Sequence, residues 1–158
     1  MKARIKVDFK PVQGMLDQLR KEFKRGKNGA RAGFLKDDRR KEGISEEVVA
    51  LANEFGVPEK NIPSRPFLRN AQKVLNKRLV KLVQADMDDE RSLEEIVARC
   101  AEEMRNQIIE SIDSNIPPPN KESTLKRKKS THTLIDTGQL RSSVHCSYIV
   151  DNKEKLKD

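Results

Sequence analysis

Aromatic side chains are nearly missing from this chain: there is no tryptophan, one tyrosine, and 4% aromatics in 158 residues. That scarcity counts against a protein that reads nucleic acid by stacking bases on rings. Cysteine is scarce too, and two residues, Cys100 and Cys146, cannot build a disulfide scaffold. Next to Cys146 stands His145, and His132 is the other histidine, a spacing that matches none of the usual zinc patterns. No run approaches the ~18 apolar residues of a membrane span. The opening Met1-Lys-Ala-Arg-Ile-Lys lacks the apolar region of a secretory signal, so a cytoplasmic protein is expected. No phosphate-cradling Gly-Lys-Ser/Thr and no Gly-x-Gly-x-x-Gly occurs. With no nucleophile–base pair in view, the expectation is a protein that is not an enzyme and needs no cofactor.

What the chain does have is charge, at 37% of residues against 35% hydrophobic. The length suits one domain with a modest core, and so polar a chain is expected to complete its burial against partners. Charge is segregated, with net +8 over residues 1–43, −4 over 44–116 and +4 over 117–158. Basic ends around an acidic middle suit nucleic acid, or complementary faces on neighbouring copies of the same chain.

Ala3 to Phe9 alternates as a short strand, and Pro11 opens a helix with Val12, Leu16, Leu19 and Phe23 on one stripe up to Gly26. Gly29 to Leu35 reads as a second strand, and Lys36 to Gly43 as a charged loop. Ser45 caps a helix with Glu46 and Glu47 in its first turn and Val48, Leu51, Ala52 and Phe55 as its buried face. A proline-rich loop from Val57 to Pro66 precedes a helix carrying Leu68, Ala71, Leu75, Leu79 and Leu82 on one stripe. Asp86 to Arg91 reads as a charged break. Ser92-Leu-Glu-Glu95 is a capping box, opening a helix through Val97, Cys100, Met104, Ile108 and Ile112 to the prolines at 117–119. Residues 117–133 read as an exposed basic arm, 139–143 as a helical turn, Val144 to Val150 as a final strand, and 151–158 as a frayed charged tail. The sum is a single α+β domain over residues 1–150: a small antiparallel sheet packed with several helices, two of them long, plus the basic arm.

Three blocks invite chemistry. In Asn53-Glu-Phe-Gly56 no second carboxylate or histidine stands near Glu54, so Phe55 in the core and Gly56 as a left-handed helix cap is the simpler reading. In Ile62-Pro-Ser-Arg-Pro-Phe-Leu-Arg69 the prolines stiffen the loop, Phe67 anchors the helix, and Arg65 and Arg69 suit carboxylates or phosphates. These three are partner-interface candidates. Leu134-Ile-Asp-Thr-Gly-Gln-Leu-Arg-Ser-Ser143 holds the Asp-Thr-Gly triplet of aspartic proteases, which need two such carboxylates sharing a proton. One triplet followed by a helix-forming Gln-Leu-Arg points instead to Asp136 or Thr137 capping a turn, with Leu134, Ile135 and Leu140 inward. Arg141 in this block, and Lys126, Arg127, Lys128 and Lys129 in the arm, complete the interface candidates.

Taken in order, these blocks resemble the small neck and tail-completion proteins of long-tailed bacteriophages. Ala32-Gly-Phe34 precedes Ala50-Leu-Ala-Asn-Glu-Phe-Gly56, then Pro63-Ser-Arg-Pro-Phe-Leu68, a long helical region, an arm from Pro119 to Lys128, and the closing Leu134–Ser143 block. The likeness spans residues 32–144. The arm is richer in lysine than that pattern, and the loop from Lys36 to Ile44 more charged. The resemblance implies a structural virion protein at the head–tail joint, made in the host cytoplasm and built into the virion. It implies self-association into a ring, often sixfold, with head-closure or tail-terminator proteins as neighbours and non-specific DNA contact in the lumen. The arm over Lys121–His132 is then expected to order on a partner. The rival expectation is a basic, non-enzymatic nucleic-acid-binding accessory protein, whose phosphate contacts weaken steeply with salt.

Overall fold

The computed structural model describes residues 28–40, 43–128 and 130–157. The strand expected over Ala3–Phe9, the helix expected from Pro11 to Gly26, and Lys129 lie outside them. Among the described residues the fold is α+β, with five helices and a three-stranded antiparallel sheet. The helices are α1 (Glu46–Phe55), α2 (Phe67–Asp88), α3 (Leu93–Asp113), α4 (Glu122–Leu125) and α5 (Gln139–Ser142). The strands are β1 (Gly29–Gly33), β2 (His145–Val150) and β3 (Lys153–Lys157), in the order β1-β2-β3.

Helix α3 is the centre of the domain, touching α2 on one side and β1 and β2 on the other. Its start follows the capping box: the Ser92 amide donates to Glu95 Oε2 at 2.9 Å and the Glu95 amide to Ser92 Oγ at 3.3 Å. Ile96, Val97, Cys100, Ala101, Ile108 and Ile112 are buried along it, as the apolar period predicts. The main core joins Phe67 of α2, Ile108 and Ile112 of α3, and Leu134, Leu140 and Val144 around α5. Phe34 meets Phe67 edge to face, ring centroids 6.3 Å apart.

Three sequence expectations need correction. Helix α1 presents the opposite face to the core: Glu46, Ala50 and Glu54 are buried, while Val48, Leu51 and Phe55 are exposed, Phe55 by 66%. The carboxylates go inward because each meets an arginine, Glu46 taking Arg40 Nε at 2.7 Å and Glu54 taking Arg69 Nε at 2.8 Å. The break expected at Asp86–Arg91 begins later, because α2 runs to Asp88. Asp86 is a buried staple in its last turn, held by Arg91 Nε at 3.2 Å and Arg99 Nε at 2.8 Å across the α2–α3 turn.

The expected frayed tail is strand β3. Asp151 and Asn152 both take positive φ, 50° and 63°, the two-residue turn whose twist suits a hairpin. The Asp151 amide donates to Asn28 Oδ1 at 3.0 Å, which ties this turn to the start of β1. Register places Tyr148 opposite Lys155 and Cys146 opposite Lys157. Lys155 then reaches Glu94 at 2.5 Å, and Lys157 pairs with Glu102, both on α3. Arg31 on β1 pairs with Glu154 and donates to Ser147 Oγ at 2.9 Å. Among the described residues no helix is long and apolar enough to cross a membrane.

Candidate partner-binding site

The proline-rich loop between α1 and α2 is closed by paired backbone bonds: the Val57 amide donates to the Ile62 carbonyl at 2.8 Å and the Ile62 amide to the Val57 carbonyl at 3.1 Å. Gly56 lets the chain enter that loop. Its φ is 79°, as the sequence reading wanted, but its ψ of 163° is not that of a left-handed cap. The residue is required by packing as well, since a Cβ there would lie 2.8 Å from the Ser64 nitrogen.

Glu54 does work that its local sequence does not suggest. Pro66, at the cap position of α2, supplies no side-chain hydrogen bond. Glu54 takes that role from another helix, accepting from the Leu68 amide at 2.8 Å, the Arg69 amide at 3.3 Å and Arg69 Nε at 2.8 Å. A carboxylate at a helix N-terminus satisfies orphan amides and meets the positive end of the dipole. Arg69 also sits over the Phe55 ring, 5.4 Å from its centroid.

Arg65 does not project outward. It is only 5% exposed, and its guanidinium crosses to the far arm, donating to the Pro118 carbonyl at 2.9 and 3.1 Å and to Asn120 Oδ1 at 3.1 Å. Burial pushes its pKa down. Phe67 is fully buried, so it anchors α2 and offers no surface. Arg141 is exposed, and its Nε donates to both oxygens of the Asp113 carboxylate, at 3.0 and 3.1 Å. Lys126 and Arg127 are exposed.

The arm is therefore anchored rather than loose. It carries the single turn α4, and the Thr133 amide donates to Asn115 Oδ1 at 2.9 Å. Asn120 Nδ2 donates to the His132 carbonyl at 3.1 Å, and Lys128 Nζ to the His132 and Thr133 carbonyls at 2.7 and 3.2 Å. Burial lowers the Lys128 pKa, and the Asp136 carboxylate opposes this.

Between the 56–65 loop and the arm lies an open groove of about 750 Å³, lined by Phe55, Pro58, Pro63, Arg65, Pro118 and Lys128 among others. Lys128 and Thr133 also border a smaller hollow of about 200 Å³ near Asp136 and Gln139. Thr133 Oγ1 has no hydrogen-bond partner among the described residues, although the residue is only 7% exposed.

The Leu134 block is structural in its surroundings. Leu134 and Leu140 are buried and Ile135 packs against them. Gly138, at φ 82°, takes the cap position of α5, and Thr137 Oγ1 accepts a long 3.4 Å bond from the Gln139 amide. His145 Nε2 meets Asp38 Oδ2 at 2.9 Å, while Cys146, pointing to the other side of β2, is buried with Sγ 3.7 Å from the Lys157 carbonyl. Among the described residues no group of three or more His, Cys, Asp or Glu side chains is arranged to hold a metal.

Sequence reasoning found Arg69 and Arg65 but missed the buried Glu54 that Arg69 serves and the arm that Arg65 holds. The signal available was the polar–small–polar stripe Glu46-Ala50-Glu54, four residues apart on one face of α1. Compared with known proteins, the chain matches no family model, no curated protein and no solved structure.

Proposed function

We propose that this protein is a structural, non-enzymatic component of a bacteriophage head–tail joint, a tail-completion or neck subunit that lets a tail join a DNA-filled head. The observation that carries the reading is how its ordered blocks meet. Glu54 caps α2 beside Gly56, Arg65 reaches from the second block to Pro118 and Asn120 in the arm, and Leu134 and Leu140 close on Phe67. Residues as far apart in sequence as Phe67 and Leu140 thus serve one framework, and the most unusual residues of the blocks hold backbone rather than a reacting group. That use suits a morphogenesis protein, whose work is to hold a shape and present surfaces.

The surfaces are of the kind such a role needs. Ile44, Val48, Leu51 and Phe55 are exposed around α1, and Lys126 and Arg127 extend from the arm. In this reading the subunit joins copies of itself in a ring, sixfold by the resemblance, and contacts head-closure or tail-terminator neighbours at the junction of the virion. Heterologous contacts, one face of a copy on a different face of the next, close such a ring.

Immunogold electron microscopy of the source phage or induced prophage, with antibody against this chain, tests the reading. Gold concentrated at the head–tail junction supports it. Unlabelled particles whose neck epitopes are accessible to a control antibody would count against it. One observation favours the rival reading: Lys126 and Arg127 have no ion-pair partner among the described residues. A phosphate-binding arm would show DNA affinity falling with salt by a slope worth several phosphates.

A further inference from the structure

The groove beside Arg65 holds positive charge that the fold itself does not neutralise. The Arg65 guanidinium donates to a carbonyl and an amide oxygen, and Lys128 to two carbonyls. Neither has a carboxylate within ion-pair distance among the described residues, although Asp136 acts on Lys128 from farther off. A buried cation normally meets a carboxylate, so the buried Arg65 and the half-buried Lys128, facing one groove with only neutral hydrogen-bond partners, mark a place for an anion. Exposed Lys121, Lys126 and Arg127 widen the positive field at this end of the molecule. Thr133, almost fully buried in the groove wall, adds a hydroxyl without a partner among the described residues.

The opposite charge lies at the other end of α2. That helix begins at Phe67, two residues after Arg65, and ends at Asp88, so its 22 residues carry the chain about 33 Å away at 1.5 Å per residue. There Asp88, Asp89 and Glu90 are all exposed on the turn into α3. Arg91 mainly serves the buried Asp86 and approaches Asp89 only at 3.6 Å. The acidic turn and the basic groove cannot meet within one chain, because a rigid helix separates them. Between copies they can.

We propose that the groove between the 56–65 loop and the 118–133 arm receives the Asp88-Asp89-Glu90 turn of a second copy, with its carboxylates at Arg65 and Lys128. The contact is head-to-tail, so each copy offers one groove and one turn and the association propagates. It names the self-contact of the ring described above and rests on that reading for its biological setting.

A charge-swap experiment on the full chain tests it. One variant makes the groove acidic, Lys121→Glu with Lys128→Glu, both residues of its lining; the other makes the turn basic, Asp88→Lys with Asp89→Lys. Wild-type protein is expected to self-associate in sedimentation velocity, and each variant alone to do so at least about tenfold more weakly. Mixed together the two variants should associate again, since the unaltered groove of the turn variant meets the unaltered turn of the groove variant, and the acidic groove meets the basic turn. Loss of Lys128 can loosen the arm, so thermal melts accompany the groove variant. The turn variant sits on exposed positions, and lysine there favours the helix C-terminus.

A monomeric wild type, or association that neither swap weakens, would overturn the proposal. So would variants that both fall apart and do not recombine. Loss of DNA affinity in the groove variant with self-association unchanged would assign the cations to phosphate and overturn it as well. None of these outcomes bears on junction labelling by immunogold, so the failure of this contact and the failure of the joint reading are told apart.

Discussion

A methyl group on Gly56 would meet the Ser64 nitrogen at 2.8 Å and the Ile62 carbonyl oxygen at 3.0 Å, on a backbone whose φ is 79°. Both neighbours are backbone atoms of a loop closed on itself, and neither can step aside cheaply. Gly56→Ala is expected to cost about 2 kcal/mol or more, measured by urea unfolding. Two residues earlier, Glu54→Ala strands the Leu68 and Arg69 amides and removes the partner of Arg69, for a loss of about 2–4 kcal/mol. Glu54→Gln keeps an acceptor and should recover part of that loss. Cys100 makes a third prediction: burial raises its pKa to about 11, so the neutral thiol prevails at pH 8. Native protein should therefore resist iodoacetamide at that residue, and denatured protein should not, as read by mass. Cys100 as a small buried hydrophobe was legible in the sequence. Glu54 was not, because its partners lie fourteen and fifteen residues away, beyond any helical window.

Periodicity located α1 and its cap but turned it the wrong way, and the reason is physical. An apolar-inward rule assigns Val48, Leu51 and Phe55 to the core, whereas paired carboxylates at Glu46 and Glu54 outweigh it. Leu51→Ser should therefore change stability by no more than about 0.5 kcal/mol, as an exposed position does. Had the sequence reading of the face been right, the same change would cost several times more. Strand β3 was hidden differently: Lys153–Lys157 has four charged residues in five, and its hairpin signal is the Asp151-Asn152 pair rather than a glycine turn. Its side-chain ties are mostly ionic. Hydrogen bonds from Lys155 and Arg31 hold Glu94 and Glu154 below the ordinary carboxylate range, and those to Glu94 and Glu102 raise Lys155 and Lys157. Depressed carboxylates stabilise the fold above their unfolded value and lose that contribution as pH falls through the folded one; raised lysines contribute until pH climbs through theirs. The β3 amides should thus be best protected from hydrogen exchange between about pH 5 and pH 10. Protection should fall on acidification and in high salt, which screens exposed pairs.

For the molecule as a whole, the α+β class, the long helices α2 and α3 and the strands β1 and β2 followed from pattern and capping residues. The arrangement around the arm did not, since a Pro- and Lys-rich segment reads as mobile until Arg65 is seen crossing fifty-three residues to Pro118. In the proposed reading, that framework serves a joint protein that works by shape and surface. Deleting the gene for this chain from the phage or prophage that the proposal calls for, and inspecting the lysate by electron microscopy, tests that proposal most directly. The account predicts DNA-filled heads and finished tails lying separate, joined into infectious particles when purified protein is added. Intact, infectious virions formed without the chain would contradict it.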